Sequence, residues 1–178
     1  INFNYFTIIL ALGSMPLAFT YPLMKRFTYW PQLFLGITFN YGLILGWTSI
    51  LNDLSIVPVI FYIGAIFWTL AYDTIYGFQD IKDDEIIGLK STSIKFKKNP
   101  YLFLILCFLT FFISLVIIGI LMKLNNLFYV FLLLVFFHLF LYQIKNLNIK
   151  DAKNCLKIFK SNNLLGFIVL TSILAGKF

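Results

Sequence analysis

Long apolar runs separated by short polar stretches divide this chain into six segments. Each is long enough, or nearly so, to cross the roughly 30 Å of hydrocarbon in a bilayer. The apolar residues form continuous runs instead of alternating with polar ones, which indicates helices and not the strands of a barrel. The sequence therefore predicts an all-α polytopic membrane bundle. Its six transmembrane helices are expected over residues 3–21, 31–50, 56–77, 101–121, 127–144 and 164–178.

Composition supports this class. The chain is 61% hydrophobic and only 12% charged, so it lacks the charged residues that the surface of a soluble domain requires. The lipid bilayer is the expected surrounding. A net charge of +7 would suggest nucleic acid in a soluble protein, but here the lysines lie in loops between apolar runs, so no nucleic-acid partner is predicted. The cysteines, Cys107 and Cys155, lack the spacing of a metal site or a disulfide framework.

The basic residues are distributed unevenly between the two sets of loops. Twelve of the 14 lysines and arginines fall on one side of the predicted membrane, whereas only Lys123 and Lys177 fall on the other. The positive-inside rule then makes the basic side cytoplasmic, or the matrix side in a mitochondrion. The twelve are Lys25, Arg26, Lys82, Lys90, Lys95, Lys97, Lys98, Lys145, Lys150, Lys153, Lys157 and Lys160.

Acidic residues cluster at the end of the third apolar segment, on the basic side. If residues 71–92 form one continuous helix, Asp73, Asp80 and Asp84 are spaced i, i+7 and i+11 and lie within about 20° of one line. Three carboxylates on one stripe at a membrane face suit Mg²⁺, which prefers oxygen ligands and is commonly shared with substrate phosphates. A solvated acidic helix end would have the same spacing, but the position at the membrane favours the metal site.

Basic side chains are expected on the same face. Lys25 and Arg26 follow the first segment, and Lys90 follows the acidic stretch. Cations beside carboxylates could hold a diphosphate bridged by Mg²⁺, although Lys25 and Arg26 could equally serve topology alone. Residues 150–163 are predicted to form a separate amphipathic helix on the membrane surface, and Asn162 and Asn163 are predicted to cap the sixth transmembrane helix.

Three motifs carry a resemblance to a known family. The sequence reads Y-D-T-I-Y at 72–76, D-x-x-x-D at 80–84 and G-x-K-S-T at 88–92. These resemble the second aspartate-rich region of the intramembrane aromatic prenyltransferases. A second stretch, Y-P-x-M-K-R-F-T-x-x-P-Q at 21–32, and a weaker one, N-N-x-x-G at 162–166, match as well. Within the family, the members that act on 4-hydroxybenzoate in ubiquinone biosynthesis are the most similar.

The resemblance implies a reaction and roles for the residues. A polyprenyl group would be transferred from polyprenyl diphosphate to the aromatic ring of 4-hydroxybenzoate, with Mg²⁺ held by Asp80 and Asp84. Asp73 and Tyr76 are the catalytic candidates, with Asp73 able to accept a proton. The substrate-binding candidates, for the diphosphate or the substrate carboxylate, are Lys25, Arg26 and Lys90.

The family fold has nine transmembrane helices around a central cavity, so the resemblance implies that residues 1–178 supply the last six as a single transmembrane domain. The family's first motif, N-D-x-x-D-x-x-x-D, is expected upstream, since the pair Asn52-Asp53 lies in an outer loop. The stretch is thus expected to be a fragment, inactive alone, of a protein of a bacterial or mitochondrial inner membrane. Three alternatives stay open: a family member with a haem or naphthoate acceptor, a cation carrier or channel, and an inert fragment.

Overall fold

The computed structural model describes residues 3–178, and that part of the chain is helical and contains no strand. The α-helices are α1 (Tyr5–Thr20), α2 (Met24–Phe27), α3 (Pro31–Phe39), α4 (Tyr41–Leu51), α5 (Ile56–Gly77), α6 (Ile81–Ile87), α7 (Thr92–Lys95), α8 (Pro100–Leu121), α9 (Asn126–Phe136) and α10 (Ala152–Lys177). A 3₁₀ turn, Tyr21–Leu23, joins α1 to α2, and α9 continues as a π-helix over Phe137–Ile144.

Six helical stretches of residues 3–178 are long and apolar enough to cross a membrane. This confirms the predicted all-α membrane bundle. The six are Tyr5–Phe27, Pro31–Leu51, Ile56–Gly77, Pro100–Leu121, Asn126–Ile144 and Ala152–Lys177. Their continuous apolar surfaces suit an integral membrane protein, since lipid offers no partner for an unpaired backbone group.

The helix α5 occupies the centre of the bundle. It packs against α8 along most of its length and also contacts α3, α4 and α10. The core between α5 and α8 is built from large side chains, among them Leu70, Ile75, Phe108 and Phe111, each at most 1% exposed. By contrast, within Tyr5–Thr20 the buried residue is a polar one, Thr7. Its hydroxyl donates to the Thr48 hydroxyl of α4 at 3.0 Å.

A close approach of backbones lets α5 and α8 pack tightly. Gly64 of α5 faces Ser114 of α8, and a Cβ atom added at Gly64 would lie only 2.6 Å from the Ser114 Cβ. That distance is far inside van der Waals contact, so a larger residue at position 64 would force the two helices apart. Small residues at helix contacts serve this purpose in membranes, where van der Waals packing drives association.

The third predicted segment coincides with α5, but the prediction for the last segment was wrong. Residues 150–163 do not form a separate surface helix, because α10 is continuous from Ala152 to Lys177. Asp151 caps this helix, accepting from the Lys153 amide at 2.9 Å. Asn162 and Asn163 therefore lie in the middle of α10 and cap nothing.

The loops sort to the two ends of the bundle as the charge pattern predicts. At one end, the Lys90 amide donates to the Lys25 carbonyl at 2.8 Å, and the Tyr101 hydroxyl donates to the Leu147 carbonyl at 3.0 Å. At the other end, the amide of Asn125 donates to the carbonyl of Gly176 at 2.9 Å. The basic loops thus share one end of the molecule.

Candidate functional site

The acidic stretch is not one continuous helix, so the predicted stripe of three carboxylates was wrong. The helix α5 ends at Gly77, and a new helix, α6, begins at Ile81. Asp80 stands at the N-cap of α6 and is exposed, whereas Asp84 lies inside α6 and is buried. The backbone turns between the two helices, over residues 78–80. Gly88 then ends α6 with a left-handed φ of +79°, which glycine adopts without strain.

One lysine links two of the acids. The Lys25 Nζ lies 3.9 Å from the Asp84 Oδ2, with the Lys25 side chain 50% exposed and that of Asp84 10% exposed. This distance is too long for a hydrogen bond, so the ammonium keeps its donors for another acceptor. Lys25 also lines a small cavity of about 90 Å³ together with Asp73, Tyr21 and Gln32. The first and third spans and α6 therefore converge on one lysine.

A buried hydrogen-bond network fixes the K-S-T motif against α5. The hydroxyls of Thr74 and Thr92 share a hydrogen bond of 2.6 Å. The Ser93 hydroxyl donates to the Thr74 carbonyl at 2.8 Å. The Thr92 amide donates to the Gln32 Oε1 at 3.0 Å. These four side chains are buried together, so the loop after α6 is held in place by polar contacts with α3 and α5.

The other two basic candidates lie at the edge of this region. Lys90 donates through its amide to the Lys25 carbonyl, and its Nζ lies 3.3 Å from the Phe27 carbonyl and 5.7 Å from the centre of the Tyr29 ring. Lys90 therefore ties the loop after α6 to the end of the first span. Arg26 is exposed.

A larger cavity of about 510 Å³ opens on the side of α5 that carries Tyr72. Tyr72 packs edge-on against Phe159 of α10, with ring centres 5.7 Å apart. Tyr76 packs in a tilted orientation against the same ring, with ring centres 4.8 Å apart. Tyr76 is 40% exposed and stands at the basic end of this aromatic group. The aromatic wall runs from the acidic end into the bundle, and it suits a long apolar group with a polar head.

Polar side chains deep in the bundle were missed by the sequence reasoning. In the wall of the 510 Å³ cavity, the Trp68 Nε1 donates to the Asn162 Oδ1 at 2.8 Å. The Asn162 amide in turn exchanges hydrogen bonds of 3.0 and 3.2 Å with Gln143, whose Nε2 lies 3.2 Å from the His138 Nδ1. Gln143 and His138 belong to the π-helix, a distortion often found at functional sites. The adjacent amides Asn162 and Asn163, at the point where the apolar part of α10 begins, were the available signal.

Asn40 also lines this cavity, and its Nδ2 donates to the Gly36 and Ala65 carbonyls and to the Thr69 hydroxyl, the last at 2.7 Å. A further amide, Asn163, lines the cavity and is exposed. The cavity thus has an apolar and aromatic surface with a few fixed amides, which is the usual make-up of a small-molecule site.

The acids do not form a metal cluster by themselves. Across residues 3–178, no three histidine, cysteine, aspartate or glutamate side chains come close enough to hold a metal ion together. Asp80 and Asp84 are separated by one helical turn of α6, and the Asp84 amide donates to the Asp80 carbonyl at 2.8 Å. Their carboxylates could therefore supply at most part of a coordination shell.

Comparisons with known proteins identify relatives of this chain. The model of the UbiA prenyltransferase family matches residues 1–169. Among curated proteins, the chain is 42% identical to a human mitochondrial 4-hydroxybenzoate polyprenyltransferase, over 97% of this chain and 47% of that protein. A Bos taurus protein of the same name is 41% identical over the same shares.

A plant protein, 4-hydroxybenzoate geranyltransferase 1 of Lithospermum erythrorhizon, is 39% identical over 99% of this chain and 57% of its own length. The chain spans about half the length of the curated relatives it matches. No solved structure matches it at a comparable level of significance. The chain belongs to the UbiA prenyltransferase family.

Proposed function

We propose that the whole protein transfers a polyprenyl group from polyprenyl diphosphate to the aromatic ring of 4-hydroxybenzoate, as a step of ubiquinone biosynthesis. The observation that carries the proposal is the position of Lys25. Its ammonium lies 3.9 Å from the Asp84 carboxylate, and its side chain, which is half exposed, lines a cavity together with Asp73. The names of the relatives, 4-hydroxybenzoate polyprenyltransferase and geranyltransferase, supply the substrate classes.

Mg²⁺ fits the donor set at this end. Asp80 and Asp84 offer hard carboxylate oxygens within one turn of α6, and Mg²⁺ commonly binds through one or two carboxylates together with waters and substrate phosphates. Bound Mg²⁺ would supply positive charge to the diphosphate oxygens.

Residues of this chain would bind the diphosphate and accept the ring proton. In the overall reaction, the allylic carbon–oxygen bond to diphosphate breaks, a carbon–carbon bond forms to the ring, and one ring proton leaves. Lys25, with free N–H donors beside Asp84, would hold a phosphate oxygen and stabilise the departing negative charge. Arg26 and Lys90 would add positive charge to the same face. Asp73, which lines a cavity with Lys25, would accept the ring proton.

The aromatic cavity would hold the apolar part of the substrate. Its walls include Trp68, Tyr72 and Phe159, whose rings would attract a positively charged allylic group. Tyr76 packs against Phe159 at the end of this wall that is nearer to the acids. This arrangement would place Tyr76 where diphosphate and prenyl chain meet, in accordance with its assignment as a catalytic candidate.

The proposed location is a bacterial or mitochondrial inner membrane, with the acidic end in the cytoplasm or matrix. Six apolar helices and the one-sided lysines support this proposal, and the mammalian relatives are mitochondrial by name.

The identity of the prenyl acceptor can be tested by comparing three candidate acceptors. Membranes containing the full-length protein, from a host lacking its own enzyme, would receive a polyprenyl diphosphate, Mg²⁺ and either 4-hydroxybenzoate, dihydroxynaphthoate or haem. We expect a prenylated product with 4-hydroxybenzoate alone. Product with either of the other acceptors instead would assign the chain to a different branch of the family. Residues 1–178 expressed alone are expected to give no product.

A further inference from the structure

A second cation-lined cavity lies at the basic end of the bundle, outside the site described above. It has a volume of about 470 Å³ and is lined by Lys82, Lys97 and Lys150, with Phe78, Ile81 and Ile149 among its apolar residues. It shares no lining residue with the cavities that hold Asp73 or Tyr72. The three lysines come from three separate segments: α6, the loop before α8 and the loop before α10.

The cavity has an excess of positive charge. No acid is among its lining residues. Lys97 pairs with Glu85 of α6, and Asp151 uses its carboxylate to cap α10. Within residues 3–178, Lys82 and Lys150 have no carboxylate within ion-pair distance. Two ammonium groups therefore remain to attract an anion.

The loop that carries Lys150 is held in a defined conformation. The Lys150 amide donates to the Asn148 Oδ1 at 3.1 Å, and the Asn148 amide donates to the Asn154 Oδ1 at 2.8 Å. The Asn154 Nδ2 donates to the Asn146 carbonyl at 3.1 Å. The ion pair of Lys97 with Glu85 similarly links the loop before α8, which forms another part of the cavity wall, to α6. Fixed walls reduce the entropy that a ligand must lose on binding.

The cavity adjoins the end of an apolar helix. Phe78 follows the last residue of the Ile56–Gly77 span, and Ala152, which also lines the cavity, is the first residue of α10. Apolar side chains at the end of a span thus lie beside lysines in one cavity. Basic pockets at the ends of membrane spans are suited to anionic lipid headgroups.

We propose that this cavity binds the phosphate headgroup of an anionic membrane phospholipid. Lys82 and Lys150 contact the phosphate, and Phe78, Ile81 and Ile149 pack against the glycerol and the first acyl carbons. A free phosphate would satisfy the lysines but would leave these apolar side chains facing water, so the lipid is the better match.

The test compares two variants of the full-length, delipidated protein in detergent. Lys82→Gln/Lys150→Gln removes two charges that line the cavity, and Lys98→Gln/Lys145→Gln removes two equally exposed charges of the basic end that do not line it. Native mass spectrometry would follow titration with phosphatidylglycerol or phosphatidylcholine. A lysine near an anionic lipid contributes about fivefold in affinity, so we expect the cavity variant to bind phosphatidylglycerol about 25-fold more weakly.

The control variant is expected to stay within about twofold of the unmodified protein, and phosphatidylcholine should bind all three alike. Lys150→Gln alone, a loop substitution, should weaken phosphatidylglycerol binding about fivefold and keeps the test valid if the double variant unfolds. Equal losses in the cavity and control variants, or no loss in either, would overturn the proposal. Displacement of the lipid by millimolar glycerol 3-phosphate would assign the site to a free phosphate and also overturn it.

Discussion

Gln32 and Thr92 are joined across 60 residues of sequence by a buried hydrogen bond of 3.0 Å, from the Thr92 amide to the Gln32 Oε1. The bond connects the first turn of α3 to the start of α7. Because Thr92 also shares a hydrogen bond with Thr74 of α5, the bond between Gln32 and Thr92 helps to fix the conformation of the loop that follows α6. The position of Lys90 beside Lys25 depends on that loop.

Removing the side-chain amide of Gln32 should destabilise the basic end of the protein. Gln32→Leu leaves the Thr92 amide buried without a partner, which costs about 1–3 kcal/mol. We expect a lower thermal unfolding midpoint in detergent and a weaker affinity for the diphosphate substrate. Gln79→Leu is the matched control, since the Gln79 amide bonds the Tyr76 carbonyl at an exposed position. Equal effects of the two substitutions would contradict the assigned role of Gln32.

The amide network inside the bundle offers a second test. Asn162→Leu removes the partner of both Trp68 and Gln143, and interhelical hydrogen bonds in membranes average about 0.6 kcal/mol, with larger values near 1.7. We expect a loss of stability of about 1–2 kcal/mol, together with slower prenyl transfer because Trp68 lines the substrate cavity.

Asn163→Leu is the control for this network, because Asn163 is next in sequence and lines the same cavity but is exposed. It should leave the unfolding midpoint nearly unchanged. An Asn162→Leu protein as stable as the unmodified one would show that the network contributes nothing to the fold.

The membrane orientation can be measured directly. In a background with Cys107 and Cys155 replaced by alanine, single cysteines would be placed at Asp83, Lys153 and Asp53. The twelve-to-two distribution of basic residues predicts that the first two face the cytoplasm of a bacterial host and the third faces outward. An impermeant thiol reagent added to intact cells should label Asp53→Cys alone. Labelling of Asp83→Cys or Lys153→Cys before the membrane is opened would reverse the topology.

The sequence predicts the spans well where apolar runs have sharp ends. Gly77 closes α5 where it was expected, and the apolar composition alone determines that the chain is helical. The prediction fails where the continuity of a helix is decided by contacts. The amphipathic residues before Leu164 were predicted to form a separate helix, yet they continue into the last span because Cys155 and Ile158 are buried in the bundle.

The candidate site was predicted in composition but not in shape. The motifs identify Asp73, Asp84 and Lys25, and the structure brings these three into one neighbourhood. Periodicity placed Asp73, Asp80 and Asp84 on a continuous stripe because it assumes an unbroken helix. The turn between Gly77 and Ile81 depends on how the acidic helix folds back on α7 and the first span, which is a tertiary effect. The roles of Gln32 and Asn162 depend on partners far away in sequence.

The central claim is that the acidic end of this chain holds the diphosphate of a prenyl donor together with Mg²⁺. The most direct measurement is the rate of prenyl transfer to 4-hydroxybenzoate by the full-length protein, as a function of Mg²⁺ concentration. Asp80→Asn and Asp84→Asn would be compared with Asp53→Asn, which lies in the loop at the other end. We predict a rate that requires Mg²⁺ and falls at least about 100-fold in the first two variants, a loss of roughly 2.7 kcal/mol of transition-state stabilisation. If Asp80→Asn and Asp84→Asn insert normally into the membrane and both transfer the prenyl group at near-normal rates without Mg²⁺, the account is contradicted.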